Sequence, residues 1–178
     1  LGRSGGDEVE KTNWKKCPDC QKRMRDNQLK TEEELQAWFI HDMENFFNSK
    51  GKEMIGWDEI IEGGLSPTAT VMWWRSWVKD APKKTTQQGN SIIFSPNSQF
   101  YLDYQQDKNS IRNIYDLDLT IEGATPEQQR LLKGVQGNIW CEWIPSRERM
   151  QYMAIPRLLA IAELGWSQAS QKDWNAFA

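Results

Sequence analysis

The sequence predicts an α/β fold built on a parallel sheet. Three observations carry that prediction. Short apolar runs rich in β-branched and aromatic residues recur along the chain, helical or long polar segments separate them, and acids and aromatics gather just past their C-terminal ends. Short apolar strands alternating with helices or long loops fit a parallel sheet whose faces are covered. Functional residues at the C-terminal ends of strands are where barrel enzymes keep their sites.

The first element is Gly5-Gly6-Asp7-Glu8-Val9. Adjacent acids on an extended segment point to opposite sides, so serving one ligand requires a strand end where the chain turns. The two glycines allow a ligand or a neighbouring backbone to come close there. The competing reading is a solvated acid pair. Residues 10–30 are polar, punctuated by Pro18, and read as a loop with one helical turn. Thr31 and Glu34 then form a capping box that opens a helix, and Gly51 stops it. Leu35, Trp38, Phe39, Met43, Phe46 and Phe47 give this helix an apolar stripe, with His41 off it at the surface.

Strands follow at Glu53–Ile60 (running into a loop), Thr68–Trp74, Ser91–Ser95 and Val135–Trp140, the last after a helix at Pro126–Lys133. Alternation sends Trp73 and Trp74 to opposite sides, and Trp74 is expected inside the site. Asp58 and Glu59 read as helix-start acids that complement the helix dipole. Gln105–Asn113 is expected to be a mobile polar loop. Pro145-Ser146 opens a final helix to about Gly165. Its apolar side is Met150, Met153, Ala154, Leu158, Ile161 and Ala162, and Pro156 kinks or breaks it. Trp166 and Trp174 read as packing residues.

The 178 residues suffice for one domain with a sizeable core. A net charge of -3 and a pI near 5.3 argue against a nucleic-acid or anionic-membrane surface. No apolar run approaches the roughly 20 residues that span a bilayer. Leu1-Gly2-Arg3-Ser4 lacks an initiator Met and reads as a truncated edge or an added scar. Ten tryptophans are the compositional anomaly; core is the better reading for any single one, but flat indole faces also suit the apolar faces of sugar rings. Cys17-Pro18-Asp19-Cys20 has the spacing of half a zinc site or a redox pair. With Cys141 as the third cysteine and His41 the single histidine, a local disulfide or two free thiols is the better reading. No metal and no cofactor are expected.

Six stretches stand in a recognisable order: Gly5-Gly6-Asp7-Glu8, Gly56-Trp57-Asp58-Glu59, Val71-Met72-Trp73-Trp74, Tyr101-Leu102-Asp103, Trp140-Cys141-Glu142 and Ala162-Glu163-Leu164-Gly165-Trp166. In this order they resemble the catalytic domain of family 20 glycoside hydrolases, the β-N-acetylhexosaminidases. The resemblance implies a TIM-type (β/α)₈ barrel of which residues 1–178 are the C-terminal part, about strands 4–8. It also implies that the arginine holding the sugar's ring hydroxyls lies in the first half of such a barrel. The chain departs from the family at Arg3, where a histidine is usual. A secreted, periplasmic or lysosomal setting is an implication of the family alone.

Most glycosidases place two carboxyl groups on either side of the scissile bond. Two neighbouring residues cannot straddle a sugar ring, so the pair fits the substrate-assisted exception, in which the 2-acetamido oxygen is the nucleophile. The resemblance then makes Glu8 the general acid, its pKa raised by burial among tryptophans and by Asp7. Asp7 stays ionised, accepts the acetamido N–H and stabilises the developing positive charge. Tyr101 donates to the acetamido oxygen. Trp57, Trp74 and Trp140 wall the pocket, while Asp103 and Glu142 accept sugar hydroxyls. Tyr115 is the candidate for a further aromatic after Asp103. The expected partner is an N-acetylhexosamine-containing glycan (terminal GlcNAc or GalNAc), with no nucleic acid. The alternatives are a non-catalytic carbohydrate-binding module and, more weakly, a zinc-stabilised interaction domain. A partial barrel leaves open sheet edges, so the chain is expected to self-associate.

Overall fold

The computed structural model describes residues 2–107 and 110–178. Five strands form a single parallel sheet in sequential order: β1 Gly2–Gly5, β2 Met54–Trp57, β3 Thr70–Trp73, β4 Ile92–Phe94 and β5 Leu132–Val135. The central three read as almost unbroken apolar runs because both faces are covered. Register aligns their C-terminal ends: Gly5 lies beside Gly56, Trp57 beside Met72, and Trp73 beside Phe94, which lies beside Val135. Every site-bearing loop therefore leaves the sheet on the same side.

The helices are α1 Pro18–Asp26, α2 Glu32–Ser49, α3 Ala81–Gln87, α4 Asn97–Phe100, α5 Ile111–Tyr115, α6 Pro126–Gln129, α7 Arg147–Ala154, α8 Arg157–Trp166 and α9 Trp174–Phe177. Residues 10–30 thus hold a nine-residue helix rather than a single turn. Pro18 is its first residue, where the missing N–H is no loss, and the Cys17 side chain caps it by accepting the Cys20 N–H. Cys17, Cys20 and Cys141 are free thiols, so no local disulfide is present.

Helix α2 begins and ends as its sequence indicates. The Thr31 hydroxyl accepts the Glu34 N–H at 3.2 Å, but Glu34 reaches back to the Lys30 N–H, one residue short of a reciprocal box. At the other end Gly51, with φ 66°, lets Gly51 N–H bond Asn48 O and Lys52 N–H bond Phe47 O, a Schellman closure. The apolar stripe differs from expectation. The buried face is Leu35, Gln36, Ala37, Ile40 and Glu44, whereas Phe39 and Phe46 are 51% and 53% exposed. Two polar residues hold the core face because each satisfies loop backbone: Gln36 donates to Gly6 O, and Glu44 accepts both the N–H and the hydroxyl of Thr68.

Two boundaries shift near β5. Helix α6 closes after a full capping box between Thr125 and Gln128 and stops at Gln129, short of Lys133. The strand starts at Leu132 rather than Val135, because Leu131 O already accepts Ile92 N–H and Leu132 pairs with Ile92. Beyond Val135 the chain leaves the ladder, and Asn138 instead bridges to Tyr101. Pro156 breaks the final helix into α7 and α8. Met153, Ala154 and Ile161 are buried as expected, together with Arg157, Ala160 and Leu164, but Met150, Leu158 and Ala162 are exposed. The buried residues keep three- and four-residue steps, with Arg157 taking the place that the apolar pattern gave to Leu158. Trp166 is 91% exposed and packs nothing, while Trp174 packs against Tyr115 and Phe177. Of the Gln105–Asn113 loop, Lys108 and Asn109 lie outside the described residues, and Ile111–Asn113 belong to α5. Among the described residues no helix is long and apolar enough to cross a membrane.

Candidate active site

The turn after β1 is shaped by close packing. A Cβ on Gly6 (φ 93°) would meet Ile60 Cγ2 at 2.7 Å, so only glycine lets the turn lie against the 3₁₀ turn Asp58–Ile61 that follows β2. Glu8 follows with φ 50°, an uncommon left-handed conformation for a residue with a side chain. Here the chain reverses the outward and inward alternation of a strand, and both Asp7 and Glu8 line the same cavity.

That cavity, about 370 Å³, also takes Trp57, Trp74, Tyr101, Asp103, Trp140 and Glu142 in its wall, so all eight sequence-predicted residues meet there. Four of the aromatics close a ring. Trp57 touches Trp74 edge-on (centroids 6.3 Å), Trp74 stacks on Tyr101 (6.1 Å, 12° between planes), Tyr101 meets Trp140 (5.8 Å), and Trp140 returns to Trp57 (6.1 Å). Trp73 points the other way, against Phe94 at 4.9 Å, as strand alternation requires.

Electrostatics inside the cavity follow from desolvation. Burial pushes the Tyr101 phenol well above its ordinary value, the Trp140 indole hydrogen bond opposes this, and the charges of Tyr104, Asp103 and Asp7 add to the rise. The phenol is therefore a protonated donor at neutral pH. Burial also raises the Asp103 carboxyl, with the charge of Glu142 adding to it, while backbone N–H groups and Arg157 oppose it. Asp103 Oδ1 is buried without a protein partner among the described atoms, which leaves it open to a ligand hydroxyl.

The loop carrying Tyr101 and Asp103 is held from behind. The fully buried Arg157 guanidinium donates to Leu102 O at 2.6 Å, to Tyr104 O at 2.8 Å and to Met153 O at the end of α7. On the opposite wall Asp58, also fully buried, accepts Trp74 N–H at 3.0 Å and Arg75 Nε–H at 2.8 Å, and Arg75 also reaches Glu62 at 2.7 Å. Asp58 is therefore a buried anchor of the β3 loop rather than an acid that only complements a dipole, and Glu59 beside it is buried as well.

Two further expectations are corrected. Asp7 and Glu8 are exposed rather than buried among tryptophans, because they follow the edge strand β1, which pairs on one side only. Tyr115 is absent from the cavity; its ring packs with Trp174 and Phe177 of α9. The cavity instead gains Tyr104 and Trp143, which sequence reasoning missed. Tyr104 sits three residues past Tyr101 in the same turn, its ring 5.9 Å away, and that spacing was the available signal. The side chain of Arg3 lies outside what the structure describes. Among the described residues no three His, Cys, Asp or Glu side chains converge as a metal site.

Comparison with known proteins places this geometry. Residues 2–169 match the glycosyl hydrolase family 20 catalytic domain. The chain is 40% identical to a beta-hexosaminidase of Porphyromonas gingivalis over 97% of its own length and 24% of the relative's. It is 32% identical to a beta-hexosaminidase of Vibrio furnissii, covering 90% of this chain and 28% of that one. Among solved structures it superposes on a Vibrio harveyi exo-β-N-acetylglucosaminidase crystallised with N-acetylglucosamine (TM-score 0.86, 28% identity, 98% of this chain and 29% of that one). It also superposes on a β-N-acetylhexosaminidase (TM-score 0.87, 27% identity, 98% and 39%). The chain thus spans less than half the length of these relatives, and its sheet is the C-terminal part of a TIM-type barrel rather than a free-standing sugar-binding module. The chain belongs to the catalytic-domain family of family 20 glycosyl hydrolases.

Proposed function

We propose that this chain supplies most of the substrate cradle of an exo-acting, retaining β-N-acetylhexosaminidase that removes terminal GlcNAc or GalNAc. The observation that carries the reading is the adjacent pair Asp7-Glu8 at the mouth of a closed aromatic ring. Adjacent carboxylates cannot flank a sugar ring as acid and nucleophile, so the nucleophile is the substrate's own 2-acetamido oxygen. Glu8 protonates the leaving oxygen and later activates water. Asp7 accepts the acetamido N–H, and the Tyr101 phenol, whose pKa burial raises further, donates to the acetamido oxygen and aims it at the anomeric carbon. The methyl group then sits among Trp57, Trp74 and Trp140. Asp103 and Glu142 accept ring hydroxyls, a task that suits the open Oδ1 of Asp103. Catalysis belongs to the complete protein, since the relatives are far longer than this chain.

The test compares β-glycosides carrying a 2-acetamido group with their 2-hydroxy analogues in wild type and Asp7→Asn. Loss of the orienting carboxylate is expected to lower turnover of the acetamido substrate about 10²-fold. A 2-hydroxy glycoside as good as its acetamido analogue in the wild type would overturn the assisted mechanism.

A further inference from the structure

Glu59 takes no part in the roles above, yet it joins two of them. It lies in the turn after β2, almost wholly buried behind the aromatic ring. Its Oε2 accepts the Trp74 Nε1–H at 2.9 Å, and its Oε1 faces the Glu8 backbone N–H at a looser 3.4 Å. One carboxylate therefore touches the pocket wall and the backbone of the acid. Trp74 stacks on Tyr101 with 12° between the planes, an alignment that any rotation of the indole would lose. An indole N–H fixed by a carboxylate is not free to rotate. Glu8 holds its left-handed φ of 50° with its own N–H turned toward that same carboxylate.

We propose that Glu59 is the positioning residue of this site, its carboxylate fixing the Trp74 ring plane and the Glu8 turn together. The inference rests on the reading of the cavity as an acetamido-sugar site with Glu8 as its acid. The charged groups facing Glu59 are Asp58 and Glu62 on its own turn, Arg75 after β3 with Nε at 3.8 Å, and Glu8, Glu10 and Lys11 after β1; Gln36 of α2 faces it without charge. Burial pushes the Glu59 carboxyl above its ordinary 4.5, the Trp74 N–H opposes this, Asp58 adds to the rise, and Arg75 opposes it. As pH falls through that raised value, neutralisation removes the charge assistance from the indole hydrogen bond.

The test labels the tryptophan indole nitrogens of the complete protein with ¹⁵N, identifies Trp74 by its loss in Trp74→Phe, and follows the signals from about pH 7 to about pH 4. The Trp74 Nε1–H signal is expected to move in a step that is absent in Glu59→Gln. A step unchanged in that variant overturns the proposal. In the complete protein, N-acetylglucosamine affinity should fall about tenfold in Glu59→Leu and no more than about threefold in Glu59→Gln, which keeps an acceptor. Equal affinity in Glu59→Leu and wild type also overturns it. Absence of any N-acetylglucosamine binding in the wild type would contradict the proposed function itself, and the Trp74 signal would still decide the role of Glu59.

Discussion

Asp103 shows what the site demands of single residues. A carboxylate with a buried, unpartnered oxygen beside Glu142 is poorly placed for stability and well placed for a polyol. Its folded pKa lies above the ordinary 3.8, so the native state holds the proton more tightly than the unfolded one. The contribution of Asp103 to stability is therefore full below 3.8 and is lost as pH rises through the folded value. Replacing Asp103 by Asn should raise the melting temperature at neutral pH while weakening sugar affinity; a variant less stable than wild type would contradict this. The sequence made these residues legible through the order of the motifs. Asp7, Glu8, Trp57, Trp74, Tyr101, Asp103, Trp140 and Glu142 do share one cavity. Glu59 was not legible as an anchor, because its partners, the Trp74 indole and the Glu8 N–H, are 15 and 51 residues away.

Among elements, the boundary between α7 and α8 has a use beyond breaking a helix. It places Arg157 where one guanidinium serves the open end of α7 and the carbonyls of Leu102 and Tyr104. Arg157→Met keeps the side-chain volume and leaves those carbonyls buried without donors, which should destabilise the fold by about 3 kcal/mol. Urea unfolding checks this as a lower midpoint at constant slope; an unchanged midpoint would show the clamp to be idle. Pattern reasoning saw Pro156 as a breaker but had no means of seeing the arginine beside it as core. The same limit explains α2, where Gln36 and Glu44 occupy the buried face because loop backbone needs them. Phe39 and Phe46, which look like core by spacing, face outward. At α1, Pro18 read as punctuation when it was a start signal.

For the whole molecule, five parallel strands in sequential order leave β1 and β5 as open edges. Trp77, Trp143 and Trp166 add exposed aromatic surface. A chain of 20.8 kDa with these features should associate at high concentration, and light scattering should report a mass above that of one copy. A monomeric mass under the same conditions would count against it. The fold class was legible at this scale because parallel strands advertise themselves as short apolar runs with polar ends, and four of the five were read that way. β1 was placed only as the strand that ends at Asp7-Glu8, because Gly2–Gly5 carries no apolar pattern of its own; its register with β2 fixes it.

Glu8 is proposed to serve as the acid of an acetamido-assisted glycosidase. The most direct test of that role is turnover of a chromogenic N-acetyl-β-D-glucosaminide by the complete protein, wild type beside Glu8→Gln. A fall of about 10³-fold in the variant is expected, since the leaving oxygen loses its proton donor. Turnover close to that of the wild type would contradict the role of Glu8 and the mechanism built on it.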